Sequence, residues 1–192
     1  MDVDPQSLTR LDHRPHVPVH DRSCCQTARV REWLVAGALI EGPEGLLMVR
    51  NRRRDGSHDW STPGGVIDRG ETVHSGLTRE VREETGLVVT GWEGPLYEVD
   101  ARAPDLDWHL RVQVHRAVGY EGALRVDDPD GIVVDARFVP IDGCSTLLDG
   151  AHQWVVEPLA EWLAARWGLD DRRAFSYEIS GADRRSIVVV RV

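Results

Sequence analysis

The sequence predicts an α/β fold in which a mixed β-sheet is packed against helices. Short apolar runs, alternating or β-branched and bounded by Gly, Pro and Asp clusters, dominate the chain. Two longer stretches, Val73 to Thr85 and His152 to Trp167, carry helix-compatible residues, and a glycine follows each. The order is strand, strand, helix, several strands, helix, hairpin, with no internal repeat.

Residues 1–29 read as a flexible tail. Pro5, Pro15 and Pro18 interrupt it and no apolar period runs through it. His13, His16 and His20 are scattered and lack the frame a zinc site needs. Order is expected from about Arg31. Trp33 to Ile40 is an apolar run that ends in the turn-forming Glu41 to Gly45, and Leu46 to Val49 follows, so the two read as a β-hairpin. A polar, arginine-rich loop, Asn51 to Asp59, leads into Trp60-Ser61-Thr62-Pro63-Gly64-Gly65. The helix from Val73 ends at Gly86, as a glycine C-cap ends one. Leu87 to Thr90 and Leu96 to Val99 read as strand pieces. Trp108 to Val118 alternates, with Leu110, Val112 and Val114 on one side and Arg111, Gln113 and His115 on the other. Turns at Gly119 to Gly122 and Asp127 to Gly131 precede a strand over Ile132 to Val139. On the second helix, Trp154, Val155, Leu159, Trp162 and Leu163 recur at helical spacing, a core-facing stripe that Gly168 stops. Ala174 to Ile179 and Ser186 to Val192 flank Ser180 to Asp183 as a terminal hairpin. The expected organisation is a tail over 1–29, a domain over 30–168 and a hairpin extension over 169–192. An exposed hairpin edge can pair with a second subunit and make a homodimer.

A chain of 192 residues suffices for one domain with a proper core. Its formal net charge is -9, and every basic residue is arginine. Such a surface repels a nucleic-acid backbone and disfavours long DNA or RNA as a partner. A small anionic substrate is compatible with it when a cation mediates. No stretch approaches the roughly 20 apolar residues of a membrane span, and the N-terminus lacks the apolar segment of a secretory signal. Cys24, Cys25 and Cys144 cannot all pair internally, and adjacent Cys24 and Cys25 are poorly placed to bridge. Reduced thiols in a cytoplasmic protein are the simplest expectation.

The chemistry concentrates between Gly65 and Leu87. On a helix, positions three and four apart are neighbours, so Glu80, Glu83 and Glu84 share a face. Like charges at that spacing destabilise an isolated helix by about 0.2 to 0.5 kcal/mol per pair. The three also sit near the helix C-terminus, where the macrodipole disfavours anions. Arg79 and Arg82 relieve part of this, but neither is expected to sit squarely among the carboxylates. A divalent cation resolves the conflict, and hard oxygen donors suit Mg2+ or Mn2+. A solvated acidic face is the competing explanation on charge alone.

The surrounding order decides between them. It runs Gly, five residues, Glu, seven residues, Arg-Glu, aliphatic, any, Glu-Glu, any, Gly, aliphatic. This resembles the box of the Nudix hydrolases at every defined position: Gly65, Glu71, Arg79, Glu80, Val81, Glu83, Glu84, Gly86 and Leu87. The strand order from about Arg31 to Trp167 is also similar to that family. The resemblance implies an α/β/α sandwich with a mixed β-sheet and a catalytic loop-helix-loop. It implies Mg2+ or Mn2+ held by Glu80, Glu83 and Glu84, with the carbonyl of Gly64 as a further ligand. Glu71 and Arg79 look like the pair that steadies the loop, with Gly65 and Gly86 as its structural glycines. The general base varies within the family; Glu80 and Glu83 are the candidates inside the box. A further carboxylate from a later loop is represented here by Asp127, Asp128, Asp130 and Asp135, each of which also has turn chemistry as an explanation.

Outside the box, Arg50, Arg52, Arg53 and Arg54 form a cluster suited to phosphate, with strand-ending Arg50 the best placed. Trp60 is either a wall beside the substrate or core. Pro63 is expected to fix the loop that presents Gly64. His109 and His115 fall on a strand and are expected to be structural. The box implies a reaction class, cleavage of a diphosphate linkage in a nucleotide-like small molecule. The stretch from Trp60 to Gly65 looks more like family members that hydrolyse nucleoside triphosphates, oxidised ones included, to a monophosphate and pyrophosphate. ADP-ribose or another nucleotide sugar is the second substrate class, and a non-catalytic nucleotide-binding module is the third reading.

Overall fold

A computed structural model of the chain describes residues 30–181 and 186–192. The tail over 1–29, with its histidines and Cys24 and Cys25, lies outside the described residues. Among the described residues, ten strands form two sheets flanked by three α-helices. In chain order they are β1 (Arg31–Leu39), β2 (Glu41–Gly42), β3 (Gly45–Arg52), β4 (His58–Ser61), β5 (Gly64–Val66), α1 (Val73–Thr85), β6 (Val88–Ala103), β7 (Trp108–Glu121), β8 (Val133–Val139), α2 (Ile141–Leu147), α3 (Gln153–Ala165), β9 (Arg173–Ser180) and β10 (Val188–Arg191).

The larger sheet runs β10-β9-β6-β7-β1-β5. It is mixed, because β1 pairs in parallel with β7 and β6 in parallel with β9, while the other pairs are antiparallel. The smaller sheet holds β3 between β4 and β8, with β2 folded onto its start. Strand periodicity gives β1 two faces. Ala36 and Ala38, followed by Ile40, pack with Leu77 and Val81 of α1, whereas Leu39 joins the larger cluster that includes Trp154, Leu159 and Trp162 of α3. The sheet thus lies between α1 and α3 in an α/β/α arrangement. No helix among the described residues is long and apolar enough to cross a membrane.

Several sequence expectations are corrected. The apolar runs before and after Glu41 do not pair as a hairpin. Strand β1 belongs to the larger sheet and β3 to the smaller, and a single backbone bond, Leu47 N–H to the Ile40 carbonyl at 2.8 Å, marks the crossing. The tight hairpin there is β2 with β3, where Gly45 has φ +128. The two strand pieces after Leu87 are one strand, β6, whose register shifts at Gly91 and before Tyr97. Helix α2 joins the two expected helices; its Gly143, Ser145 and Thr146 give it little intrinsic helix preference. Helix α3 ends not at Gly168 but at Arg166, which takes the left-handed cap with φ 53. The terminal hairpin is present, and β9 places it inside the larger sheet beside β6.

Candidate active site

Helix α1 begins with a reciprocal cap. Thr72 Oγ1 accepts from Ser75 N–H at 3.1 Å, and Ser75 Oγ accepts from Thr72 N–H at 3.0 Å. It ends at Gly86, whose φ of 75 suits glycine and whose N–H donates to the Arg82 carbonyl. Between these caps the helix buries Gly76, Leu77, Val81 and Thr85. That narrow apolar strip seats the helix and leaves the adjoining face to Glu80, Glu83 and Glu84.

Arg79 fills the centre of this acid edge, contrary to the expectation that it lies aside. Its guanidinium donates to both carboxylate oxygens of Glu71 at 2.9 Å, to Glu80 Oε1 at 2.6 Å and to Glu83 Oε2 at 3.4 Å. It also reaches the Val66 carbonyl at 3.3 Å, which ties the loop before the helix to the helix itself. The Glu71 hydrogen bonds, which outweigh burial, raise the Arg79 pKa further. Glu84 is held differently: its Oε2 accepts the backbone N–H of Gly64 at 2.9 Å. Burial pushes the Glu84 carboxyl well above the ordinary carboxylate range; the Gly64 bond opposes this, and the charges of Glu80, Asp128 and Glu83 add to it.

Two glycines make the junction possible. Gly64 has φ +148, and a Cβ there would strike the Ala36 carbonyl. A Cβ on Gly65 would lie 2.5 Å from the Glu80 carboxyl carbon. Strand β5 can therefore approach the helix only as bare backbone.

Among the described residues no three metal-binding side chains form a closed cluster; Arg79 supplies the neutralising charge. The donor set nevertheless fits a divalent ion. The donors are hard carboxylate oxygens on one turn, one of them enclosed and electrostatically frustrated, with side-chain space withheld at Gly65.

An apolar pocket opens between the sheet and α3. Val35, Gly37, Val99, Val112 and Trp154 line it, with Ser61 and Thr62 as polar edges, and it reaches Gly64. The sequence stripe marks Trp154 only as core, and the residue is indeed 3% exposed; the signal that it also walls a pocket is absent from helical spacing. Trp60 and Arg50 face each other across β4 and β3, but neither lines this pocket. Trp60 packs against the larger core, and Arg137 lies over its ring at 4.5 Å. Arg53 is committed to Asp59 at 2.6 Å, and Arg52 to the Gly131 carbonyl at 3.0 Å.

Of the later aspartates, Asp128 performs turn chemistry, its Oδ2 accepting from Ile132 and Val133 N–H at 2.7 and 2.8 Å. Asp127 pairs with Arg125, and Asp135 lies opposite Arg50. His109 bonds Asp100 at 2.8 Å. His115 is 3% exposed and meets His74 of α1 at 3.2 Å, a contact between residues 41 apart that no local pattern announces.

Residues 32–163 match the family model of the NUDIX domain, and the chain belongs to that family. It is a pyrophosphohydrolase of phosphoric anhydrides. The chain is 41% identical over 118 residues to "Putative 8-oxo-dGTP diphosphatase 2" of Mycobacterium tuberculosis, covering 55% of this chain and 84% of that protein. It is 34% identical over 50 residues to an ADP-ribose pyrophosphatase of Methanocaldococcus jannaschii, covering 26% and 30%. Among solved structures, the MutT Nudix hydrolase of Burkholderia pseudomallei has 26% identity and a TM-score of 0.51, covering 58% of this chain and 85% of that one. The E. coli ORF135 protein shares the fold, with a TM-score of 0.58 at 18% identity, covering 71% and 94%.

Proposed function

We propose that the chain hydrolyses nucleoside triphosphates, oxidised ones included, to a nucleoside monophosphate and pyrophosphate with Mg2+ or Mn2+. The observation that carries this is the junction at Gly64, where an apolar pocket meets the acid edge. The pocket suits a flat base, and the edge suits a metal-bound diphosphate. The mycobacterial relative, by its name a putative diphosphatase of an oxidised triphosphate, is matched over most of its length and supports the same substrate class.

Glu80, Glu83 and Glu84, with the backbone of Gly64, would hold the ion. When bound, it neutralises the anhydride and lowers the pKa of an attacking water. Glu80 and Glu83 are the candidate acceptors of that water's proton. Arg79 orients both carboxylates, and Glu71 holds Arg79 square to them. The enclosed setting of Glu84 strengthens its attraction for any cation at the edge. The complete set of box residues argues against a merely binding module. The proposed setting is the cytoplasm, with Cys144 a buried free thiol. The outer edge of β10 is where a second subunit would add.

A panel of nucleotides with Mg2+, scored by product identity, tests the reading. Pyrophosphate release from a triphosphate is expected, and a chelator abolishes it. Two monophosphates from ADP-ribose, with no triphosphate turnover, would move the chain to the nucleotide-sugar class.

A further inference from the structure

Helix α1 borders a second cavity on its other flank. This open cleft measures about 510 Å3, with Arg79, Arg82 and Glu83 on the helix side and Arg125 and Asp127 across from them. Three guanidiniums on one cleft stand out in a chain of net charge -9. Their commitments differ. Arg79 is occupied by Glu71, Glu80 and Glu83. The Arg125 side chain meets Asp127 at 3.3 Å and stays 78% exposed. The side chain of Arg82 makes no hydrogen bond or ion pair among the described residues. A cation in the last helical turn complements the macrodipole, which accounts for Arg82 alone. It does not account for Arg125, which comes from a different segment and faces the same space.

The cleft is continuous with the acid edge, because Glu83 belongs to both. The apolar pocket is continuous with the other end of that edge through Gly64, which lines the pocket and bonds Glu84. The carboxylates therefore adjoin the apolar pocket through Gly64 and the arginine cleft through Glu83. A nucleoside triphosphate has parts to match: base, metal-bound anhydride, terminal anion.

We infer that the cleft between Arg82 and Arg125 receives the terminal phosphate of a nucleoside triphosphate. The inference rests on the triphosphate reading above and deepens it. A guanidinium fork matches two phosphate oxygens, and an arginine with no internal partner gives up nothing to make that contact. A nucleotide sugar presents a neutral ribose at this place and gains nothing from two cations. The cleft thus favours triphosphates over nucleotide sugars by charge.

The test compares wild type, Arg82→Ala, Arg125→Ala and the double variant on a nucleoside triphosphate and its matching nucleoside diphosphate with Mg2+. Arg125 lies in the loop between β7 and β8, outside α1, and thermal melts check the fold of each variant. In the double variant the triphosphate-to-diphosphate ratio of kcat/KM is expected to fall about ten-fold or more, mainly through KM. The fall shrinks as salt rises, because both arginines face solvent. An unchanged ratio overturns the inference. Calorimetric titration of inorganic pyrophosphate with Mg2+ gives a second readout that needs no turnover. Binding weakened about ten-fold or more in the double variant supports the cleft; equal affinity, or no binding to wild type, overturns it. If wild type cleaves no triphosphate, the substrate reading falls by itself, and the pyrophosphate titration still decides whether the cleft holds phosphate.

Discussion

Helix α3 buries Trp154, Pro158, Leu159, Trp162 and Leu163 against one face of the larger sheet, while α1 buries Gly76, Leu77, Val81 and Thr85 against the other. The first seat is wide and wholly apolar. It holds a helix with no side-chain N-cap and with a proline in its interior, which removes one intrahelical hydrogen bond. The second seat is narrow, and polar devices supplement it: the Thr72–Ser75 cap, the Arg79 clamp, the Gly86 terminus and the His74–His115 contact. Burial thus tolerates local faults in α3. In α1 the packing is lean enough to leave a face to mutually repelling carboxylates, which Arg79 and the Gly64 N–H hold in place.

The sharpest test of this contrast is Glu84→Gln. Turnover is expected to fall by about three orders of magnitude, while thermal melts without metal hold or rise, since an enclosed carboxylate crowded by like charges is removed. A loss of stability on the scale of a core truncation would break the comparison. Trp162→Ala is the counterpart on α3. Trp162 is 1% exposed, and its truncation is expected to cost about 3–5 kcal/mol in urea unfolding. Turnover per folded molecule should persist; a specific loss of turnover at full stability would show that α3 does more than pack.

The smallest effect concerns acid. His115 is pushed down to about 4, first by burial and then by His74 and Arg172. Its folded value lies below that of an unfolded histidine, so its stabilising share is complete above the unfolded value of 6.5. That share, up to about 3 kcal/mol, is lost as pH falls toward the folded value. Melting temperature should therefore drop more steeply for wild type than for His115→Gln between neutral pH and about pH 4.5. Parallel curves would remove acid sensitivity from the α1 seat. The α3 seat has an acid slope of its own, because burial also pushes His152, the N-cap residue stacked on Trp154, down to about 4, so the His115→Gln difference isolates the α1 share.

The same contrast governs what could be read in advance. Helix α1 is legible to the residue because Gly86 and the spacing of Glu80, Glu83 and Glu84 are local signals. The α3 stripe is equally legible as a buried face. Partnerships across long separations are not: Trp33 pairs with Leu110, and nothing near Trp33 points there, so the following apolar run invites a false hairpin. Gly91, Gly94 and Pro95 look like a break, but β6 absorbs them as register shifts. At the acid edge, residue types and spacing fix which carboxylates meet. They do not tell how the long side chain of Arg79 bends, and so its central position emerges only in three dimensions. Arg166 at the α3 terminus is missed because a non-glycine residue takes a conformation that glycine usually fills.

Gly64 and Gly65 carry a consequence for how such a site can change. Neither position has volume into which a side chain could grow, so on the proposed reading the span from base to scissile bond would be set there by main chain. On that reading, preference for one nucleotide over another would drift through Val35, Val112 or Trp154 at one end and Arg82 or Arg125 at the other. The gauge between the ends keeps its length, and a ligand with a longer or shorter spacer would be turned away whatever its base.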